Sequence, residues 1–573
     1  MDEPTETNDL PPLPASARRF HPAYAVDPID EEFAGSALGP EPTGEGRQGR
    51  RIGRSTAFFS IATGASRLVG LVREIIAAGY FGVGPAMSAF TIAFQIPNLV
   101  RSLFADAALQ GAFVPVFTEQ LEAGNKREAF RLASTLIFLI TAVLGVITAL
   151  FILVAPFLIP LLVPSLDETT RDLTVVLSQL LFPILVMLGV SGVVVGVLNS
   201  YNRFAVFAIA PLFWNLAIIG VLVALSPLFS GDDRIYAYAI GVLVGTALQL
   251  AMVSWDLRNT PFRVIRVFDW RSDLVKKVLL LMLPVTISLG LINVNLVINS
   301  LVGALVPGTL AGTGDALADY APAAIDKAFR IYMLPQGMFS VAVTTVIFPT
   351  LSRYAARRDF DDLRRTMANG MRMILLVLVP AAAAILVLSE PMIRLVYQRG
   401  EFSPEETPLV ATALFWFAFS LPFNGLFLIL TRTFFSLQRP WTPTWIAGLN
   451  LAITAAAAFA FYEPFGVGGI VAGTAIATAV SVIAQMIVLR RPLKGLELRA
   501  LFDAAARITL ASAALAGVSW LIWDALDSAL GRGTGAQIVA LGTALAAGGL
   551  VYLGAILALR VPEARQLLAV ARR

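Results

Sequence analysis

Fourteen stretches of this chain are each apolar for about 20 residues or more, the length a helix needs to cross the hydrocarbon core of a bilayer. No other feature restricts the fold as severely, because backbone polar groups in hydrocarbon have only one another to bond to. The stretches predict helices near residues 56–80, 85–118, 128–162, 171–199, 204–228, 234–256, 272–306, 320–351, 362–397, 407–432, 441–461, 465–489, 500–523 and 534–560. Composition agrees. Only 14% of residues are charged, against about 25% in a soluble domain, and mean hydropathy is +0.75. The chain reads as an all-α polytopic membrane protein. Its longest helices exceed one crossing, so they are expected to tilt, to extend past the membrane, or to kink at Pro97, Pro284 or Pro335.

Positive charge should alternate between successive loops if no crossing has been missed or invented. It does. One set of loops carries Lys126, Arg127 and Arg131, then Arg203, then Arg258, Arg263, Arg266, Arg271, Lys276 and Lys277, then Arg353, Arg357, Arg358, Arg364 and Arg365. Arg439, then Arg490, Arg491, Lys494 and Arg499, and finally Arg565, Arg572 and Arg573 continue it. The opposite loops hold Asp167, Glu168, Asp232, Asp233, Asp315, Asp319, Glu401, Glu405, Glu406, Glu463, Asp524 and Asp527. Both termini are therefore expected in the cytoplasm.

Residues 1–54 are rich in Pro, Asp and Glu without apolar periodicity, and are expected to form a disordered cytoplasmic tail. They lack the basic and apolar regions of a cleaved signal peptide. The basic patch Arg47, Arg50, Arg51 and Arg54 marks where the membrane portion begins. The chain has no cysteine and one histidine, His21 in the tail, so thiolate and multi-histidine metal sites are excluded.

An internal repeat is visible. FVPVFT at Phe113–Thr118 recurs as IFPTLS at Ile347–Ser352, Pro156 aligns with Pro391, and NLAI beginning at Asn215 recurs at Asn450, all offset by 234 or 235 residues. An offset spanning six helices relates two halves in parallel orientation. The expected organisation is a first lobe over 55–258, a second over 259–492, and two further helices within 493–573.

Charged residues at hydrocarbon depth need a wet cavity or a partner. Helix one carries Arg67, Arg73 and Glu74, and helix two carries Arg101 and Asp106 at the end of a polar stripe formed by Ser88, Thr91, Gln95, Asn98 and Ser102. Arg67 and Glu74 share a face and could pair, whereas Arg73 has no partner at i−3 or i−4. The second lobe adds Ser288, Asn295 and Asn299 in helix seven and Asp326, Lys327 and Arg330 in helix eight. Asp326 and Arg330, at i and i+4, form either a local ion pair or, with Arg67, Arg73 and Arg101, part of a cationic site between repeats. Arginines gathered in a low-dielectric cavity suit a phosphate-bearing anion, which their forked donors bind bidentately. Arg372, Arg394 and Arg432 lie near helix ends, where snorkelling to the interface is expected. No nucleophile and base, paired-acid or phosphate-loop arrangement appears, so an enzyme has no support.

Three strings, SRLVGLVRE (Ser66–Glu74), AFTIAFQIPNLVRSLFADAALQGAFVP (Ala89–Pro115) and FRIYMLPQGMF (Phe329–Phe339), resemble the MurJ (MviN) lipid II flippases of the multidrug/oligosaccharidyl-lipid/polysaccharide (MOP) exporter superfamily. The likeness runs from about Arg54 to the C-terminus. It implies a V-shaped pair of six-helix lobes around a cationic cavity that moves undecaprenyl-diphosphate-linked peptidoglycan precursor from the cytoplasmic to the outer leaflet. The family's cavity arginines fall on Arg67, Arg73, Arg101 and Arg330, and its helix-two acid on Asp106. Glu74, Ser88, Gln95, Asn98, Asn295, Asn299 and Asp326 are the expected cavity or gating residues. The last two helices, about 500–560, would form a groove for the lipid tail with helix seven. Relatives carry acids where this chain has Ser88, Phe329 and Met333, which leaves Asp326 to supply charge from one turn away.

The expected mechanism is alternating access assisted by the membrane potential; the resemblance implies a bacterial plasma (inner) membrane, with lipid II and membrane lipids as partners, other cell-wall synthesis proteins as further candidates, no nucleic acid, and a monomer as the working unit. No cofactor is expected, and the coupling ion, Na+ or H+, stays open. Rivals are a flippase for another polyprenyl-diphosphate-linked saccharide, a multidrug exporter of the same superfamily, which would favour carboxylates over arginines, and a membrane glycosyltransferase.

Overall fold

The computed structural model describes residues 46–104, 107–201, 203–561 and 563, and the side chains of all of these except 46–63, 100–104, 107–111, 283–293, 341, 342 and 345. The expected tail therefore lies largely outside the described residues, as do Asp106 and the C-terminal arginines. The chain divides into two compact units, Met1–Ile61 and Ala62–Arg573, and the packing and site described below belong to the second.

Helices account for every predicted crossing. They are α1 (Gly46–Phe81), α2 (Pro85–Phe104), α3 (Ala107–Glu122), α4 (Lys126–Leu162), α5 (Glu168–Leu181), α6 (Ile184–Ser200), α7 (Ala205–Leu225) and α8 (Arg234–Asp256). The second half holds α9 (Asp273–Gly303), α10 (Ala321–Pro335), α11 (Val341–Ala356), α12 (Phe360–Tyr397), α13 (Glu406–Ser436), α14 (Trp441–Arg490), α15 (Leu498–Leu530) and α16 (Thr534–Ala558). Among the described residues, nine helical segments are long and apolar enough to cross a membrane. The segments not among those nine, α1, α2 with α3, α9, and α10 with α11, each supply residues to the cavity wall.

The boundaries differ from the sequence reading in informative ways. Helix α1 begins at Gly46, so the arginine patch expected to precede it forms its opening turns. The expected helix 171–199 is two helices, α5 and α6, meeting at Pro183, which cannot donate a backbone hydrogen bond. The expected helix 320–351 is likewise α10 and α11, joined after Pro335 by one π turn, Gln336–Ser340. The expected helices 441–461 and 465–489 are joined without a loop. Helix α14 reverses at Gly466, whose φ of 54° and ψ of −138° are open to glycine and strained for other residues.

The repeat is visible in the packing. Asn215 on α7 donates through Nδ2 to the Ser66 carbonyl of α1 at 3.5 Å, and its counterpart Asn450 on α14 accepts from Asn295 Nδ2 of α9 at 2.9 Å. In each lobe the fifth helix thus holds the first through the same asparagine. Helices α15 and α16 pair with each other and stack on α12, fixed by Tyr552 Oη donating to the Leu376 carbonyl at 2.5 Å. Arg394 reaches Asp527 at 3.2 Å and Arg372 reaches Glu563 at 2.5 Å. These two arginines, expected to snorkel, instead tether the C-terminal helices, and Arg432 lies over the Phe348 ring at 5.4 Å.

The lobes close against each other at the end bearing the acidic loops. There the Glu401 amide donates to the Gly79 carbonyl at 2.9 Å, the Val83 amide to Glu406 Oε2 at 3.3 Å, and the Asp167 amide to Asp319 Oδ1 at 3.2 Å. Ser88, fully buried, accepts from the Ala323 amide at 3.3 Å, capping a free donor in the first turn of α10. Gly400, with φ +63°, lies directly against the Gly79 carbonyl, where a Cβ would overlap the oxygen. Gly400→Ala should therefore cost about 2 kcal/mol or more, combining positive-φ strain and a backbone clash, and lower the thermal unfolding midpoint by several degrees. Gly448→Ala, where an added Cβ meets nothing within 4 Å, should leave it unchanged or raised.

Candidate functional site

Helix α1 presents Arg73 and Glu74 at consecutive positions, and α10 presents Asp326, Lys327 and Arg330 along one and a quarter turns. Packed together, the two helices bring all five ionisable groups within reach of one another. Glu74 stands at the centre. One carboxylate oxygen accepts from Lys327 Nζ at 2.7 Å, and the other is bonded by Arg73 and lies 3.9 Å from Arg330 Nε. Arg330 also grips Asp326 with two bonds of 3.2 Å. Three cations against two carboxylates leave one positive charge.

The cluster forms one wall of a cavity of about 670 Å³. Arg73, Glu74, Asp326 and Arg330 face it, and so do Gln95, Asn98, Asn295 and Asn299. Arg73 lies with its guanidinium 4.8 Å from the centre of the Trp214 ring, an interaction that strengthens when desolvated. Among the described residues its Nε has no partner, and neither have the buried oxygens Oε1 of Gln95 and Oδ1 of Asn295. Unpaired polar atoms at such depth are costly unless water or a ligand meets them. Phe90, Phe94, Phe329 and Phe417 supply apolar surface. The arrangement can hold an anion with forked donors on one side and uncharged hydrogen-bonding groups opposite.

The structure brings together most of the residues singled out in the sequence, with several corrections. The Arg67–Glu74 pair does not form among the described residues. Glu74 is taken by Arg73, Lys327 and Arg330, and Arg73, which lacked a partner by helical spacing, is compensated by its immediate neighbour. Arg67 is exposed, its guanidinium 3.5 Å from where a Cβ on Gly337 would stand, so it lies at the π turn between α10 and α11. Ser88 leaves the polar stripe for the lobe seam and does not line the cavity. Asn295 and Asn299 are interhelical bonds as well as wall residues, Asn299 donating to Thr474 Oγ1 at 3.2 Å. The Arg101 and Ser288 side chains and the whole of Asp106 lie outside the described residues.

Sequence reasoning named Lys327 but gave it no role, and it missed Trp214, Tyr238 and Asn450. Lys327 is fully buried. A lysine set between Asp326 and Ala328, in a helix whose only other charged residues are Asp326 and Arg330, was the available signal. The NLAI repeat pointed at Asn450, and at Trp214, which immediately precedes its first copy. Among the described residues no three of His, Cys, Asp or Glu gather as a metal would require.

Comparison with known proteins assigns the chain to a family. The model for "Lipid II flippase MurJ" matches residues 77–536. A protein of Rhizobium meliloti (strain 1021), described as a probable lipid II flippase MurJ, is 32% identical over 422 residues, covering 73% of this chain and 76% of its own length. One of the same description from Rhizobium tropici is 30% identical over 478 residues, 82% of this chain and 87% of its own. Among solved structures, a lipid II flippase MurJ in an inward closed conformation superposes with a TM-score of 0.72 at 22% identity, covering 89% of this chain and 99% of that one. An inward-facing multidrug resistance MATE transporter of the MOP superfamily follows at 0.60 and 16% identity, covering 75% and 94%. The fold is thus the MOP exporter fold.

Removing one partner of a buried ion pair costs about 3–5 kcal/mol, because the other charge is left stranded. Glu74→Ala, which strands fully buried Lys327, should approach that cost. Asp326→Ala should cost less, since the Arg330 side chain is 36% exposed to the cavity and keeps Glu74 at 3.9 Å. Thermal or denaturant unfolding of the two variants side by side checks the order.

Proposed function

Because this chain belongs to the lipid II flippase MurJ family, we propose that its cavity binds the diphosphate of an undecaprenyl-linked peptidoglycan precursor and carries it from the cytoplasmic to the outer leaflet. The observation that supports this reading best is the pairing of Arg73 and Arg330, both facing a cavity of about 670 Å³ whose ion cluster has one positive charge in excess. Arg67 at the π turn extends the donor set, and the family resemblance adds Arg101 to it. The membrane-potential field assists export of an anion from an inside-negative compartment by about 2.3 kcal/mol per charge per 100 mV. Two uncompensated diphosphate charges therefore gain nearly 5 kcal/mol at about 100 mV.

The mechanism we infer is alternating access. With basic loops in the cytoplasm of a bacterial inner membrane and both termini on that side, the seam of Gly79, Ser88, Gly400 and Glu406 lies at the outer end. Transport requires those contacts to part while the cytoplasmic end closes. The lipid tail remains in hydrocarbon alongside α15 and α16, and a single chain performs the cycle as a transporter without covalent chemistry. A multidrug exporter shares the fold, but a net positive cavity disfavours cationic drugs.

Rescue of a strain depleted of its native flippase tests the reading. Wild-type protein should restore growth, whereas Arg330→Ala and Arg101→Ala should not, since each lost bond to a charged group is worth about 1.5–3 kcal/mol. Equal rescue by both variants would sink the diphosphate assignment. Arg67→Lys, which keeps the charge but loses the fork, should support growth only partially.

A further inference from the structure

Lys327 stands apart from the other charges of the cluster. Its side chain is fully buried and does not line the cavity, although Glu74, Asp326 and Arg330 around it do. Its ammonium meets Glu74 Oε2 at 2.7 Å and lies 5.8 Å from the centre of the Tyr397 ring, while Tyr397 Oη donates to the Lys327 carbonyl at 3.3 Å. It is thus a fixed charge behind the cavity wall, held from α12 and touching α1 across the lobes. No substrate in the cavity can reach it directly.

Glu74 is the group it acts on. Without Lys327, Oε2 of Glu74 would lose its partner; Arg73 is already bonded to Oε1, and the other cation beside the carboxylate is Arg330, whose Nε lies 3.9 Å from Oε1. Arg330, whose Nε and Nη2 already hold Asp326, would be drawn further toward Glu74, taking its remaining donors away from the cavity. We propose that Lys327 is a positioning residue for anion binding, satisfying Glu74 from behind so that Arg73 and Arg330 keep their donors toward the cavity. This inference rests on the diphosphate reading above and deepens it, since it predicts that a residue out of contact with the substrate sets the affinity for it.

The test is equilibrium binding of purified lipid II to the full-length protein in nanodiscs, with undecaprenyl monophosphate as the control lipid, and unfolding followed on the same samples. Lys327→Met should weaken lipid II binding roughly tenfold, in the range of couplings within one salt-bridge network, and change monophosphate binding less. Lys327→Met combined with Glu74→Gln removes the competing carboxylate together with its partner. That double variant should bind lipid II within about threefold of wild type, a rescue that loss of packing alone would not produce. Equal binding by Lys327→Met and wild type, or failure of the double variant to recover, overturns the proposal. If the single variant does not fold, the double variant decides alone by the same criterion. Arg73→Gln and Arg330→Gln separate the two levels. If they bind lipid II like wild type, the diphosphate reading falls and this inference with it; if they lose binding while Lys327→Met does not, only this inference falls.

Discussion

One carboxylate makes it possible for this chain to keep three cations at the depth of the hydrocarbon. Isolated charges there would cost several kcal/mol each, and Glu74 distributes its two oxygens among Arg73, Lys327 and Arg330 so that none is isolated. The consequence reaches beyond the cluster. Glu74 belongs to the first lobe and two of its partners to the second, so the same bonds that make the charges tolerable also join the lobes. Around this point the repeat supplies scaffolding, with an asparagine of each fifth helix holding its own first helix. Site and architecture therefore cannot be altered independently at α1 and α10.

The fold was largely legible because bilayer thickness imposes a length on every helix and loop charge imposes a direction. Both signals are carried by many residues, so single exceptions do not hide them. Fewer residues mark where a helix changes direction. Pro183 and Pro335 sit at real interruptions, but Pro97 lies within a helix that continues to Phe104, and the reversal in α14 falls on Gly466, two residues beyond Pro464. Proline is tolerated inside a membrane helix when neighbours cover the freed carbonyl, so its presence alone does not locate a bend.

The site was legible as a set of residues and illegible as a set of pairings. Helical spacing suggested Arg67 with Glu74, yet spacing says which residues share a face, and the choice of partner depended on α10, more than 240 residues away. Ser88 is the clearest case. Its stripe pointed toward the cavity, but α10 begins against it, and an unbonded amide at Ala323 takes the hydroxyl. The resemblance supplied what spacing could not, since its strings identified α1 and α10 as sharing one function before any contact between them was known.

The reversal at Gly466 has a bearing on how the chain enters its membrane. Most neighbouring crossings are separated by loops that allow one helix to be threaded and released before the next. The two halves of α14 have no such spacer, since the backbone turns within a single residue. They form a helical hairpin with Tyr462 and Glu463 beside the turn, and hydrocarbon favours such a pair entering as one unit, because each half closes its own backbone bonds. Biogenesis of the second lobe is thus tied to a unit of two spans, and the glycine at its tip matters to assembly as much as to the finished structure.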